Sequence, residues 1–328
     1  MRKGIGTLSG ARLLAVLLVA GSPALGGCGN DVAAPSAPTQ PPPPLPPIPQ
    51  FQGQIQGRIA FVSTRDGEPH IYVTDTIGTG VTRLTKGERP AWSWDGRRIA
   101  FHRGVGRTAD IYVINVDGTG ERLLAHDGMH PSWSPDDNRI VFQGTVVSNS
   151  LFIAMTDGSR VTRLASEPFA NLTCTCYPTW SPDGRNIAFA NQGFNGYRFV
   201  AITDTSGTVV RALYADDWSL GEPAWAPDGS SLVVEFDMGI TIVGHELSFA
   251  SPRFPPIARF GLNPDWSPDG KSVLFHSFAN PTSQATHPLR IFVAPLVGGE
   301  IQQLIRDAER PANPGYADSD AAWSRIRK

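Results

Sequence analysis

The sequence predicts an all-β fold, a six-bladed β-propeller built from four-stranded antiparallel blades. Three observations support this: six of the eight tryptophans in the 328-residue chain recur 41 to 57 residues apart, a turn motif follows them, and the ends hold complementary parts of one repeat. The six are Trp92, Trp133, Trp180, Trp225, Trp266 and Trp323. Hydrophobic residues make up 41% of the chain, which is enough for a large core and excludes a wholly disordered protein. The net charge is −2, so no charge excess argues for nucleic acid as a partner.

The repeat is visible around the tryptophans, where the sequence reads AWSWDGRRIAF, SWSPDDNRIVF, TWSPDGRNIAF, AWAPDGSSLVV and DWSPDGKSVLF. Each unit holds four β-type runs, which in one unit are Pro90–Ser93, Arg98–His102, Asp110–Asn115 and Glu121–Leu124. In the turn, Pro presets φ and Gly accepts the left-handed conformation. The Asp between them recurs with the turn in each unit, so it is interpreted as a turn former. Units of about 40–45 residues with four strands are typical of propeller blades, and a β-sandwich would not explain the close copies.

The two ends of the repeat region predict how the ring closes. Arg58–Ser63 begins directly with the second strand of a blade, whereas Ala321–Ile326 resembles a first strand. We therefore expect the C-terminal strand to join the N-terminal blade and complete the sixth. The unit beginning at Pro223 is the weakest match, because Ile240–Val243 and Ser251–Ile257 look like poor strands.

These units resemble the TolB-type WD40-like repeats, the PD40 pattern of six-bladed TolB propellers. The resemblance covers residues 57–328, is specific for the fold and says little about function. TolB propellers bind the protein Pal and a colicin-type peptide, so the resemblance implies docking of a protein or peptide. The proline-rich linker leads straight into the first blade, which leaves no room for TolB's N-terminal α/β domain.

The N-terminal segment is interpreted as a lipoprotein signal peptide, residues 1–27. Arg2 and Lys3 precede the apolar run Leu13–Ala20, which is too short to span a bilayer. The following Leu-Gly-Gly-Cys resembles the bacterial lipobox and implies lipidation of Cys28; the alternative is an ordinary signal peptide with an incidental cysteine. Gly29 comes next, and in lipoproteins a residue other than Asp there favours the outer membrane.

Residues 28–56 are predicted to be a linker after the lipidated cysteine. Nine prolines lie between Pro35 and Pro49, a composition that favours polyproline II. At about 3.1 Å per residue, residues 33–50 would span on the order of 50 Å. Removing residues 1–27 takes away three basic residues and no acidic one, which changes the net charge from −2 to −5.

One position of the repeat is predicted to bind a ligand. The residue three before each tryptophan is expected to begin the innermost strand and to face the channel mouth. It is polar in every unit and differs each time: Arg89, His130, Tyr177, Glu222, Asn263 and Asp320. In this hypothesis Arg89 would take an anionic group, Glu222 and Asp320 a cation or amine, and Tyr177 and His130 would stack or hydrogen-bond. The alternative is that these residues are simply solvated.

Other chemistry is weakly indicated. No Gly-x-Ser-x-Gly elbow and no Gly-x-x-x-x-Gly-Lys loop occurs, and we expect neither a cofactor nor a metal. His102 and His276 occupy equivalent places, which leaves a metal-dependent polysaccharide lyase as a minor alternative. Cys174 and Cys176 form a candidate disulfide, with free thiols or zinc ligands as alternatives.

The function expected from these features is a non-catalytic binding module of the cell envelope. It would dock an envelope protein or peptide at the channel mouth, with a membrane anchor and no nucleic acid partner. The alternatives are binding of a carbohydrate or cell-wall fragment, and a propeller lyase or glycosidase. A monomer is expected, because ring closure leaves no blade edge unpaired.

Overall fold

The computed structural model describes residues 57–146, 150–164, 175–192, 198–213, 219–236, 239–244, 257–277, 289–297, 300–305 and 317–325. The chain divides into two units, residues 1–46 and 47–328. The first unit lies outside the described residues, and so do the proposed lipidation site at Cys28, the proline-rich linker and Cys174.

The strands form six blades. Blade 1 contains β1 (Arg58–Ser63), β2 (His70–Asp75) and β3 (Thr82–Lys86); blade 2 contains β4 (Glu88–Trp92), β5 (Arg98–Arg103), β6 (Asp110–Asn115) and β7 (Arg122–Ala125); blade 3 contains β8 (Gly128–Trp133), β9 (Arg139–Gly144), β10 (Leu151–Met155) and β11 (Val161–Leu164). Blade 4 contains β12 (Thr175–Trp180), β13 (Asn186–Gln192), β14 (Arg198–Asp204) and β15 (Val209–Leu213); blade 5 contains β16 (Leu220–Trp225), β17 (Ser231–Phe236), β18 (Gly239–Gly244) and β19 (Ala258–Arg259); blade 6 contains β20 (Leu262–Trp266), β21 (Ser272–Ser277), β22 (Arg290–Pro295) and β23 (Gln302–Gln303). The last strand is β24 (Asp318–Trp323).

Closure of the ring follows the predicted splice. The first sheet has the order β24-β1-β2-β3, so the C-terminal strand is the innermost strand of blade 1. Ile59 pairs with Trp323, and the backbone N–H of Ser324 donates to the carbonyl of Arg58 at 2.8 Å. The prediction of six four-stranded blades is therefore confirmed.

Helical structure is nearly absent from the part of the chain that is described. There it consists of one 3₁₀ turn, Gly106–Thr108. Among these residues no helix has the length and apolar character needed to cross a membrane.

The complete Ser-Pro-Asp-Gly turns, in blades 4 and 6, hold the inner hairpin through the side chains that the sequence singles out. In blade 6 the Ser267 hydroxyl donates to Asp269 at 2.7 Å, and the N–H of Lys271 donates to the same carboxylate at 3.1 Å. The N–H of Ser272 donates back to the Ser267 hydroxyl at 2.9 Å, and Gly270 adopts φ +69°. The repeated Asp is thus a turn former, as predicted.

The repeat tryptophans connect neighbouring blades. The indole N–H of Trp133 donates to the carbonyl of Ala91 at 3.0 Å, and that of Trp266 donates to Ala224 at 3.2 Å. Each acceptor directly precedes the tryptophan of the preceding blade. The rings are buried in apolar clusters shared by two blades, which explains why a large side chain with one donor recurs here.

Two departures from the repeat compensate each other. Trp94 stands where later blades have the turn proline, and it has a backbone N–H that proline lacks. Asp137 stands in the place of the turn glycine of blade 3, with φ +57°. Its carboxylate accepts the N–H of Trp94 at 2.6 Å and that of Asp95 at 3.0 Å. The additional donor therefore meets an additional acceptor across the seam between blades 2 and 3.

The weakest unit is more regular than predicted. β18 pairs with β17 over six consecutive positions, so the expectation that Ile240–Val243 forms a poor strand is wrong. Its run Ile-Thr-Ile-Val is β-branched and suits a pleated strand even without the repeat signature. The fourth strand, β19, has only two residues, and most of Ser251–Ile257 lies outside the described residues.

Candidate functional site

The six predicted ligand-binding residues lie at one irregularity of the innermost strands. Each of these strands changes register against its neighbour where the predicted residue sits, as between Glu88 and Ala91 or between Leu262 and Asp265. The expectation that these residues begin their strands is wrong, because β4 already starts at Glu88 and β8 at Gly128. A β-bulge re-aims one side chain, and all six side chains line the central channel.

Five of the six residues adopt a left-handed backbone conformation. Their φ angles are +54° (Arg89), +53° (His130), +55° (Tyr177), +50° (Asn263) and +48° (Asp320). Residues other than glycine rarely adopt such angles, and each instance costs of order 1–3 kcal/mol. The surrounding structure must therefore stabilise this conformation at five equivalent points.

Below this ring of residues lies a channel cavity of about 160 Å³. Its wall is formed by the innermost strands, which line it with prolines, tryptophans and small residues such as Ala91, Ser132 and Thr179. At the other end it reaches Trp94 and Arg325.

An ion pair crosses the channel mouth. The guanidinium of Arg89 makes two hydrogen bonds to the carboxylate of Glu222, Nη1 to Oε2 at 2.8 Å and Nη2 to Oε1 at 3.2 Å. The innermost strands contact one another in chain order around the ring, so blades 2 and 5 stand opposite each other. Asp320 lies 3.3 Å from Arg89 Nε, and the Tyr177 ring lies 5.0 Å from the guanidinium carbon. Arg89 thus bridges the full width of the mouth.

The remaining ring residues contact one another as well. Asn263 Nδ2 donates to Asp320 Oδ1 at 2.6 Å, and His130 Nδ1 lies 2.8 Å from Gln143 Oε1. The rings of His130 and Tyr177 are 4.4 Å apart. The structure therefore brings the six predicted residues into one network, in which the opposite charges bind each other.

Burial governs the protonation states in this network. Burial raises the pKa of Glu222 to about 7, the charges of Glu235 and Asp320 add to the rise, and Arg89 opposes it. Burial, with Arg89 adding to the effect, lowers the pKa of His102 to about 4 and that of His130 well below its usual range. Burial also raises the pKa of Tyr177 to about 12. Near pH 7 the two histidines are neutral, and Glu222 takes up a proton more readily than an exposed glutamate does.

Sequence reasoning missed the role of a second layer of polar residues on the second strands, where it placed His102 and His276 only as a minor metal-site alternative and did not mention Glu235. Glu235 Oε1 accepts the backbone N–H of Asn263 at 3.0 Å, and His276 Nδ1 accepts that of Asp320 at 3.1 Å. Glu235 and His276 occupy the same position in the second strands of their blades. In blades 1 and 4 this position holds the apolar residues Val62 and Ala190. A polar residue at such a position was the available signal. In the described parts of the chain, no group of three or more His, Cys, Asp or Glu is placed to hold a metal ion.

Asp265 is a further residue that sequence reasoning missed. It directly precedes a repeat tryptophan, where other blades carry Ala, Ser or Thr. Its carboxylate accepts the N–H of Trp323 at 2.8 Å and lies 3.3 Å from Arg325 Nη2. Asp265 therefore ties blade 6 to the closing strand. Cys176 is disulfide-bonded in β12, and the pairing with Cys174 stays a prediction because that residue is outside the described ranges.

Comparison with protein families gives a match over residues 86–243 to PD40, the TolB β-propeller domain. The repeats in this part of the chain are similar to those of TolB propellers. Among curated relatives, the Tol-Pal system protein TolB of Desulfosudis oleivorans is 32% identical over 89 residues, which is 25% of this chain and 20% of that protein. The match thus spans about a fifth of the relative's length.

Solved structures share the fold of this propeller. TolB from Acinetobacter baumannii superposes with a TM-score of 0.65 at 17% identity, covering 84% of this chain and 68% of that one. Hydrazine synthase of Kuenenia stuttgartiensis gives a TM-score of 0.60 at 15% identity, with 83% and 47% coverage. At these identities the likeness concerns the fold alone, and a fold that also occurs in a synthase does not assign an activity.

Proposed function

We propose that this TolB-type propeller is a non-catalytic binding module of the cell envelope, which docks a protein or peptide on the six-residue ring at its channel mouth. The observation that carries the proposal is the ring itself. Six different polar side chains occupy one repeat position, and five of them are held in a left-handed conformation.

The backbone conformation argues that the side chains are needed. Glycine adopts positive φ without penalty, and this chain uses glycine at many of its turns, such as Gly118 and Gly158. The ring positions instead carry large or charged residues at an energetic cost. Strain of this kind collects at functional sites, because there the side chain repays it.

Charge indicates what kind of group the mouth attracts. Four carboxylates surround Arg89 closely enough to interact electrostatically with it: Glu88, Glu222, Glu235 and Asp320. Arg198 adds a second positive charge near Glu235. Carboxylates therefore outnumber cations by two, which favours a partner with basic side chains facing the mouth.

Ring geometry favours a protein over a carbohydrate. Sugars usually stack on an open aromatic face, whereas Tyr177 already contacts the Arg89 guanidinium at 5.0 Å and the His130 ring at 4.4 Å. A folded partner or peptide can instead contact the upper rim of the network without displacing it.

The envelope location rests on the N-terminal sequence and on the Tol-Pal system to which the curated relative belongs. In this proposal residues 1–27 are a signal peptide, Cys28 carries the lipid, and residues 28–56 hold the propeller of residues 57–328 away from the outer membrane. The propeller acts as a monomer.

A binding experiment with matched variants tests the proposal. Wild-type chain, Arg89→Met/Glu222→Gln and the control Lys86→Met/Glu68→Gln serve as baits in envelope extract. The control removes a surface ion pair of blade 1, whose side chains are 53% and 64% exposed and are not part of the ring. Proteins recovered by the wild type are then purified, and their Kd for each bait is measured.

We expect the ring variant to lose the partner and the control to keep it with unchanged Kd. If the ring variant and the wild type bind the same purified partner equally well, the ring is not the docking site.

A further inference from the structure

The ring residues need support from elsewhere, because their left-handed conformation is unfavourable for side-chain-bearing residues. At Arg89, His130, Tyr177 and Asn263 the next residue is proline, which restricts the backbone further. A hydrogen bond to the backbone N–H of a ring residue is one device that can fix its orientation.

Such a bond is present at two ring positions, and in both the acceptor comes from the preceding blade. Glu235, on β17 of blade 5, accepts the N–H of Asn263 in blade 6 at 3.0 Å. His276, on β21 of blade 6, accepts the N–H of Asp320 in blade 1 at 3.1 Å. The two acceptors occupy the same place in their blades, so this is one repeated arrangement with two chemically different acceptors.

We propose that Glu235 and His276 are positioning residues of the binding ring. Each holds the next blade's ring residue in its left-handed conformation by accepting its backbone N–H, and so sets the direction of that side chain. This inference rests on the proposed function of the ring but concerns residues outside it.

The same position in the other blades shows that the arrangement is a choice and not a requirement of the fold. The imidazole of His102 lies 5.5 Å from that of His130 in the next blade. Gln143 Oε1 lies 2.8 Å from His130 Nδ1 within the same blade. Val62 and Ala190 occupy this position without any polar group. Polar side chains therefore appear here where they can contact a ring residue.

His276 can act as an acceptor only while Nδ1 is unprotonated. Its side chain is 5% exposed, and burial lowers its pKa to about 4, with the charge of Asp320 opposing and that of Arg89 adding to the effect. The acceptor is thus present throughout the neutral range, with the proton on Nε2.

The test uses pairs of variants that keep or remove the acceptor with similar side-chain volume. His276→Asn keeps an acceptor near the Nδ1 position and His276→Leu removes it; Glu235→Gln keeps the acceptor and Glu235→Met removes it. Hydrogen exchange of the Asp320 and Asn263 amides is measured by NMR on the purified full-length chain, with selective ¹⁵N labelling of Asp and Asn. No ligand is needed, so failure here is distinct from failure of the docking proposal.

We expect His276→Leu to accelerate exchange at Asp320 roughly 2- to 12-fold, the equivalent of one lost hydrogen bond, and to leave Asn263 unchanged. Glu235→Met should do the reverse, and the Asn and Gln variants should restore protection. The proposal is overturned if the acceptor-keeping and acceptor-removing variants exchange alike, because packing alone would then explain the effect. If His276→Leu does not fold, the Glu235 pair decides the question at Asn263.

Discussion

Replacing Arg89 with methionine should destabilise the propeller strongly, and more so at higher pH. Arg89 is 24% exposed and binds Glu222, which is 11% exposed, through two hydrogen bonds. Removing one partner of a buried ion pair costs about 3–5 kcal/mol, and partial exposure places this case near the lower end, at about 2–4 kcal/mol.

The pH dependence follows from Glu222. The pKa of Glu222 in the folded protein, about 7, lies above its ordinary value of 4.5. The contribution of Glu222 to the free energy of unfolding is therefore greatest below pH 4.5 and is lost as the pH rises through 7. Without Arg89 the pKa of Glu222 in the folded protein rises further. The free energy of unfolding then keeps falling above pH 7, by up to about 1.4 kcal/mol per pH unit. The difference between wild type and Arg89→Met should therefore grow from pH 6 to pH 8.

The double variant Arg89→Met/Glu222→Gln is the decisive comparison. It removes both charges and leaves Asp320 with its hydrogen bond from Asn263, so most of the lost stability should return, to within about 1–2 kcal/mol of wild type. Urea unfolding followed by tryptophan fluorescence at pH 6, 7 and 8 measures these values. Additive losses in the double variant, with no pH dependence of Arg89→Met, would refute the reasoning.

Three further changes test other features of the chain. Gly128→Ala should lower stability by about 1–3 kcal/mol, seen as a lower Tm, because its Cβ would lie 2.5 Å from the buried Phe142 ring; an unchanged Tm would contradict this packing. The hydroxyl of Ser267 and the N–H groups of the turn lower the pKa of Asp269, so its contribution is present above its ordinary value of 3.8 and is lost on acidification. Asp269→Asn should therefore cost up to about 1 kcal/mol at neutral pH and less near pH 2 in acid-unfolding curves, whereas an equal cost at both would exclude the carboxylate. Cys28→Ser should move the protein from the membrane to the soluble envelope fraction, and persistent sedimentation with membranes would argue against a lipid anchor there.

The architecture could be predicted because the repeat reports it directly. Each tryptophan with its turn stands for one blade, and the incomplete units at Arg58–Ser63 and Ala321–Ile326 reveal the closing sheet. The six ring positions could also be found, since any fixed offset from the tryptophan lies at the same height in every blade. Repetition thus converts sequence spacing into position in space.

The contacts within the ring could not be predicted. Arg89 and Glu222 are 133 residues apart, and only the angular order of the blades makes them opposite neighbours. The bulges were missed for a different reason. A residue before proline is expected to be extended, so the sequence argued against the left-handed angle at Arg89. The hydrogen bonds to Glu235 and His276 form at these bulges, so the sequence shows polar residues there but not the bonds that they make.

The matched departures at Trp94 and Asp137 have a consequence for how this protein can evolve. Propellers diversify by duplicating or deleting whole units, and the three seams between blades 3 and 6 would tolerate a new neighbour because a proline meets a glycine at each of them. The seam between blades 2 and 3 would not, since an inserted unit would separate the tryptophan amide from the carboxylate that accepts it. These two units must be inherited together, so any expansion of this lineage is expected to fall elsewhere in the circle.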